Sequence, residues 1–172
     1  VSPPGVRAFV GLGANIGNPA AQLANALEAL DAAGVLVAVS GLYRSAPIGP
    51  EQPEFLNLVA ELAVFDGPYE LLARCHALEA AAQRVRRERW GPRTLDVDVL
   101  LFGDVEMHDP ELQIPHPRLH ERRFVLDPLA ELAPELVTLG QLSAVADQDC
   151  EYVGTVELLH QLATASPGQR QD

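Results

Sequence analysis

Hydrophobic and polar positions along this chain follow two periods, and the switches between them predict its elements. Residues 7 to 13 place Phe9, Val10 and Leu12 in a β-type run with Gly11 and Gly13 at its end, a first strand leading into a glycine turn. From Pro19 to Ala33, Leu23, Ala26, Leu27 and Leu30 recur at helical spacing, with Asn18 as cap and Pro19 at the first position. Residues 35–46 and 55–65 are β-rich runs separated by Pro47, Gly49, Pro50 and Pro53, so they read as strands joined by a stiff loop rather than a tight hairpin. Pro68 opens a second helix to about Gln83, with Leu71, Leu72, Cys75, Leu78 and Ala82 inward. The apolar run Leu95 to Phe102 is a further strand. Beyond Asp104, Pro110, Pro115 and Pro117 interrupt the pattern. A helix is expected over Phe124–Ala133, with shorter elements around Leu139–Ala146 and Val156–Leu162.

The order β-α-β-β-α-β over residues 7–103 is that of the ferredoxin-like split βαβ arrangement. The expected fold class is therefore α+β: a mixed or antiparallel sheet, helices on one face, and a carboxy-terminal extension. At 172 residues the chain is long enough to bury about 70% of its unfolded surface in one domain. Residues 1–165 are assigned to that domain and 166–172 to a flexible tail.

One strand breaks its own apolar pattern. Asp96 and Asp98 are spaced i, i+2, so both carboxylates leave the same face while Leu95, Val97 and Val99 leave the other. Two carboxylates held that close repel unless a cation lies between them, and hard divalent ions completed by substrate phosphates suit such a pair. Directly upstream, residues 84–93 hold five arginines (Arg84, Arg86, Arg87, Arg89 and Arg93) against one acid, Glu88. Taken alone, an Asp-x-Asp pair is usually solvated and an arginine-rich loop is usually surface. Joined across the Gly91-Pro92 turn, they point to a metal–polyphosphate site.

Composition narrows the chemistry. The formal net charge of −12 argues against a general binder of nucleic acid or anionic membrane. The chain has no lysine, and all 12 basic residues are arginine. This excludes a Walker A lysine, a kinase strand lysine and a Schiff-base lysine. Phosphate must then be met by arginine, metal and backbone amides, and the planar guanidinium suits bidentate contact. Cys75 and Cys150 are far apart and read as reduced thiols. No run reaches the roughly 20 apolar residues that span a bilayer, and Val1 to Gly5 lack the features of a secretory signal. A cytoplasmic monomer is the expectation, without nucleic-acid or membrane partners.

Two patterns are set aside. Gly11-x-Gly13 precedes a helix, but Gly17 falls one place late for a dinucleotide fingerprint. His116 and His120 have zinc-like spacing, but Pro115 and Pro117 flank the first and no third ligand is near.

The run from Arg89, Trp90, Gly91, Pro92, Arg93, Thr94 and Leu95 through Asp96, Val97 and Asp98 to Gly103 closely resembles the signature of the 6-hydroxymethyl-7,8-dihydropterin pyrophosphokinases of folate biosynthesis. The likeness extends to Gly11–Asn15, Tyr43–Gly49, Pro53–Asn57 and Ile114–Phe124, four further segments in the right order. It implies transfer of the terminal diphosphate of ATP to a pterin hydroxymethyl group, with AMP released. By that resemblance Asp96 and Asp98 hold two magnesium ions, and Asp96 also orients the attacking hydroxyl. Arg84 and Arg93 correspond to catalytic loop arginines. Glu79, Arg86, Arg93, Val99 (through its backbone), His116 and Arg122 correspond to ATP contacts. Ser45, Ala46, Ile48, Phe55, Asn57, Trp90, Asp96 and Phe124 correspond to pterin contacts, with Phe55 and Phe124 as a stacking pair. Asn57 is telling on its own terms, because an amide among Phe55, Leu56, Leu58 and Val59 needs a partner.

Two rivals come from other classes. Another metal-dependent nucleotide transferase using Asp-x-Asp would need no aromatic pair beside an amide. A ferredoxin-like RNA-binding module would need an aromatic strand motif that is absent and a charge of the other sign.

Overall fold

In chain order the principal elements are β1 (Val6–Ala14), α1 (Pro19–Ala32), β2 (Leu36–Val39), β3 (Leu42–Ser45), β4 (Phe55–Val64), α2 (Pro68–Val85), β5 (Asp96–Phe102), β6 (Met107–His108), β7 (Gln113–Ile114), α3 (Arg123–Leu132), α4 (Leu139–Ala144), β8 (Cys150–Gly154) and α5 (Leu158–Thr164). The computed structural model describes residues 4–47, 51–85 and 95–165, with 84 and 85 described by backbone alone. The main sheet runs β5-β1-β4-β3-β8, with β2 also on β4, and each of these pairs is antiparallel. The fold is a mixture of helices and an antiparallel sheet, in line with the expected α+β class.

α1 begins where expected. Asn18 Oδ1 accepts the Ala21 N–H at 3.1 Å, and Pro19 occupies the first turn. The helix stops at Gly34, whose φ of +74° few side-chain-bearing residues tolerate. Leu23, Ala26, Leu27 and Leu30 of α1, with Leu71, Cys75, Leu78 and Ala82 of α2, cover one sheet face. That face offers Ala8, Val10, Leu12 and Ala14 from β1 and Leu58, Ala60 and Leu62 from β4.

Helices cover both faces, where one was expected. Val125, Leu126 and Leu129 of α3 pack with Phe9, Val59 and Leu100 on the opposite side, a second apolar cluster. α3 shields only part of that face, and the uncovered part is the cleft described below.

Three further differences have local causes. The expected strand 35–46 divides at Ser40 and Gly41, where side chains take over backbone bonding. Ser40 Oγ accepts the Val59 N–H at 2.9 Å, and the Glu131 carboxylate of α3 accepts the Gly41 N–H at 3.2 Å. β5 carries a bulge: Val10 faces Val99 but Phe9 faces Leu101, so Leu100 is an extra residue. The bulge returns Phe102 to the α1/α2 side with Val97 and Val99 while Leu100 stays on the α3 side. The first strand does not end in a glycine turn: Gly11 and Gly13 lie inside β1. Among the described residues, no helix is long and apolar enough to cross a membrane.

Candidate active site

Alternation along three neighbouring strands builds the site on the face that α3 only partly covers. Asp96 lies opposite Gly13, Gly13 opposite Asn57, and Asn57 opposite Tyr43. One step along, Asp98 lies opposite Gly11, which in turn faces Val59. Side chains of directly paired residues share a face, so both aspartates and Asn57 project together across the two glycines. They border a cleft of about 200 Å³, to which Ser45, Ala46, Gln52, Phe55, Leu100, Arg122, Phe124 and Val125 also contribute.

The glycines hollow the cleft floor. A Cβ on Gly13 would stand 2.8 Å from Asn57 Oδ1, so the bare backbone at 13 is what lets the amide lie over it. Asn57 is buried, and its Nδ2 donates to the buried Ser45 Oγ at 2.7 Å. The amide the sequence marked as needing a partner has one, and its plane is thereby fixed at the cleft wall. The end of β1 is tied to the loop after residue 50. There Asn15 Nδ2 donates to Gln52 Oε1 and to the Pro53 carbonyl, both at 3.0 Å.

The aromatic and basic wall comes from the start of α3. Phe124 and Phe55 both line the cleft, and the Arg122 guanidinium carbon lies 5.6 Å from the Phe124 ring centroid. An arginine assigned to nucleotide and a ring assigned to pterin are therefore in contact with each other.

Beyond the cleft rim lies His116. Its N–H donates to the Leu100 carbonyl at 2.9 Å, fastening the segment after β7 to the outer edge of β5. Its Nδ1 accepts the Arg118 N–H at 3.1 Å, which leaves Nε2 as the donor of the neutral ring. Burial holds the imidazole below its usual pKa, with Arg122 and Arg118 adding and Asp98 opposing.

Glu79 is placed differently from a cleft residue. It reaches from α2 to β5, where its Oε1 accepts the Val97 N–H at 2.9 Å between the two aspartates. Val99 turns its side chain into the α1/α2 core, leaving only its backbone toward the strand's open edge. Ile48, Arg86, Trp90 and Arg93, and the side chain of Arg84, lie outside the described residues.

Eight of the sequence-assigned residues thus share one cleft: Ser45, Ala46, Phe55, Asn57, Asp96, Asp98, Arg122 and Phe124. Sequence reasoning missed Gly11, Gly13, Gln52, Leu100 and Val125. For the glycines a signal existed, since they alternate with Val10, Leu12 and Ala14 and so mark one bare strand face.

Asp98 is exposed and Asp96 half-buried, as suits oxygens that must reach a ligand. Among the described residues, no group of three or more His, Cys, Asp or Glu side chains converges on a metal position. A two-carboxylate donor set fits a hard divalent cation that takes its remaining oxygens from phosphate and water, and it does not fit a closed structural zinc site.

Comparison with known proteins points the same way. Residues 9–134 match the profile of the 7,8-dihydro-6-hydroxymethylpterin-pyrophosphokinase (HPPK) family. The chain is 48% identical over 133 residues to the 2-amino-4-hydroxy-6-hydroxymethyldihydropteridine pyrophosphokinase of Pseudomonas aeruginosa, covering 76% of this chain and 82% of that relative. It is 45% identical over 156 residues to the protein of that name from Methylorubrum extorquens, covering 88% and 99%. Among solved structures, the Plasmodium falciparum HPPK-DHPS with pterin and p-hydroxybenzoate superposes with a TM-score of 0.62 at 15% identity, over 94% of this chain. The chain spans 43% of that longer protein, so this likeness concerns the fold alone. With the profile spanning most of the chain and these relatives matched over 82% and 99% of their length, the chain belongs to the 7,8-dihydro-6-hydroxymethylpterin-pyrophosphokinase family.

Proposed function

We propose that this chain transfers the diphosphate of ATP to the hydroxymethyl group of 6-hydroxymethyl-7,8-dihydropterin and releases AMP, and that the cleft beside β5 is where it does so. The single observation that carries the reading is the cross-strand row Asp96–Gly13–Asn57. It sets an acidic pair suited to metal-bound phosphate beside a buried amide suited to a heterocycle's polar edge.

The residues divide the work by their chemistry. Asn57, oriented by Ser45, offers a donor and an acceptor to the pterin edge, while Phe55 and Phe124 give it two apolar faces. Ala46 lines that end, and the family likeness assigns Ile48, outside the described residues, to the pterin as well. Asp96 and Asp98 are the ligands for two magnesium ions. When bound, the metal neutralises phosphate charge and aligns the phosphate with the acceptor oxygen. Asp96, in the row with Asn57, is also the carboxylate placed to orient that hydroxyl. Arg122, close to the cleft and to His116, supplies positive charge on the nucleotide side. The family likeness assigns Arg84, Arg86 and Arg93 to the same phosphate chemistry and Trp90 to the pterin, all four outside the described side chains. Diphosphoryl transfer asks mainly for positioning and charge stabilisation, which these groups provide without a general base.

The sheet order β5-β1-β4-β3 supports reading the core as the ferredoxin-like split βαβ arrangement. Residues 1–165 act as one catalytic unit in this reading, as a monomer in the cytoplasm. Both thiols are free, which suits a reducing compartment.

The test is an assay for AMP release from ATP with magnesium, run with and without the hydroxymethyl-dihydropterin. Pterin-dependent AMP without ADP, abolished by a chelator and restored by magnesium, is the expected result. ADP as the product would instead mean ordinary phosphoryl transfer. AMP release indifferent to pterin would remove the assigned acceptor.

A further inference from the structure

Among the described residues β5 is the outermost strand of its sheet, and it carries both aspartates. An edge strand bonds to one neighbour only, so every second residue turns its N–H and C=O outward with nothing in the sheet to receive them. Here the outward residue between Asp96 and Asp98 is Val97, and its N–H is received by the Glu79 carboxylate of α2 at 2.9 Å. A second outward hold is the Leu100 carbonyl at the bulge, which takes the His116 N–H at 2.9 Å. Between these two holds lies the stretch of strand from which Asp98 projects.

The chemistry of the first hold is unusual. A strand edge is ordinarily satisfied by water, by a neutral backbone carbonyl or by another strand. Glu79 instead brings a carboxylate to the backbone N–H of the residue that stands between the two aspartates in sequence. Burial pushes the Cys75 thiol, one helical turn before Glu79, up to about 12, and the charges of Glu79 and Asp98 add to that rise. Both carboxylates therefore act on the same buried thiol. A neutral acceptor would have served a purely structural bond at less electrostatic cost. A charged acceptor makes a stronger bond to an N–H, roughly twice that of a neutral one. It also fixes the peptide unit joining Asp96 to Val97, the one whose rotation would swing the two carboxylates apart.

We propose that Glu79 is a positioning residue for the acidic pair: through the Val97 N–H it locks the β5 edge so that Asp96 and Asp98 present their oxygens together to the cation. The proposal rests on the metal role given above to Asp96 and Asp98. It gives Glu79 a part distinct from the nucleotide contact that the family likeness implies for it. Groups that orient ligands without touching the metal commonly contribute about 10- to 100-fold in affinity or activity.

The experiment uses the full chain as wild type, Glu79→Gln and Glu79→Ala, with two readouts. The first is hydrogen exchange of the Val97 amide in metal-free protein, followed by NMR. The second is the magnesium concentration giving half-maximal AMP release at saturating ATP and pterin, with ATP binding measured separately without metal. The expected result is graded. Amide protection falls from wild type through Glu79→Gln, which keeps an acceptor oxygen, to Glu79→Ala. The magnesium requirement rises in the same order, by about tenfold or more for Glu79→Ala. Metal-free ATP binding reports separately on the nucleotide contact that the family likeness implies for Glu79, so a loss there is kept apart from the magnesium response. Two outcomes overturn the proposal. In one, Val97 protection is lost while the magnesium requirement is unchanged. In the other, Glu79→Gln behaves like Glu79→Ala in magnesium response while Val97 remains protected, so that charge rather than the strand bond matters. If the wild type itself shows no metal-dependent, pterin-dependent AMP release, the parent reading fails, and the exchange data still report the Val97 bond on their own.

Discussion

At the scale of single residues, the cleft depends on side chains that are missing as much as on those present. Gly13 makes room for Asn57, and a methyl there would meet Asn57 Oδ1 at 2.8 Å. Gly13→Ala should therefore behave like Asn57→Ala, weakening pterin binding while leaving ATP binding near wild type. Calorimetry with each ligand separates the two, and equal losses for both would mean a general disturbance of the strand. Asp96→Ala and Asp98→Ala should each abolish turnover with the fold intact, because neither side chain belongs to an apolar cluster. Turnover surviving in either variant, beside an unchanged circular dichroism spectrum, would end that residue's metal role.

Whole elements act on the site through packing. α3 places Arg122 and Phe124 at the cleft by burying Leu126 and Leu129 against Phe9, Val59 and Leu100. It also receives Tyr43 through the Glu131 carboxylate, which accepts the Tyr43 hydroxyl. Leu126→Ala should cost about 2–5 kcal/mol, as deletion of a fully buried leucine does. Urea unfolding would report it, and a loss within about 0.5 kcal/mol would mean that α3 is not anchored there. The elements that bury one clean stripe were legible in the sequence: α1, α2 and β4 begin and end within two residues of expectation. β8 was not, because Glu151 and Tyr152 are exposed on an edge strand and leave no alternating signal. The bulge at Leu100 was hidden for another reason. Val99, Leu100, Leu101 and Phe102 are all apolar, so nothing in residue type marks where alternation resets. In the site, chemistry was legible where polarity contradicts an apolar surround, as at Asn57, Asp96 and Asp98. Contributions made by backbone or by absence of a side chain, as at Gly13, leave no such contradiction.

The molecule as a whole carries an alkaline limit. Burial pushes the Cys75 thiol up to about 12 and the Cys150 thiol up to about 11. Burial, with the Glu131 carboxylate, also holds the Tyr43 phenol above its usual range. In the unfolded chain the thiols lose their protons near about 8.5. Their folded values are higher, so their contribution to stability is complete below that pH and is lost as pH rises toward the folded values. Denaturant midpoints should hold steady to about pH 8 and fall above it. The fall should be shallower in Cys150→Ala, and an identical slope in that variant would exclude the thiol as its source.

The row Asp96–Gly13–Asn57 also makes the sheet a ruler. Asp96 and Asn57 are two strands apart, so inter-strand spacing sets their separation at about 9.5 Å, and hydrogen-bonded strands cannot stretch to suit a different guest. An acceptor whose hydroxyl hangs on an arm one carbon longer should still seat its ring on Asn57 and bind. Its oxygen would arrive out of register with the phosphate, and misplacement by about 1 Å can cost a hundredfold in rate. Selection for arm length would then appear in kcat rather than in binding, and it would need no residue of its own, since the gauge is the spacing of the strands.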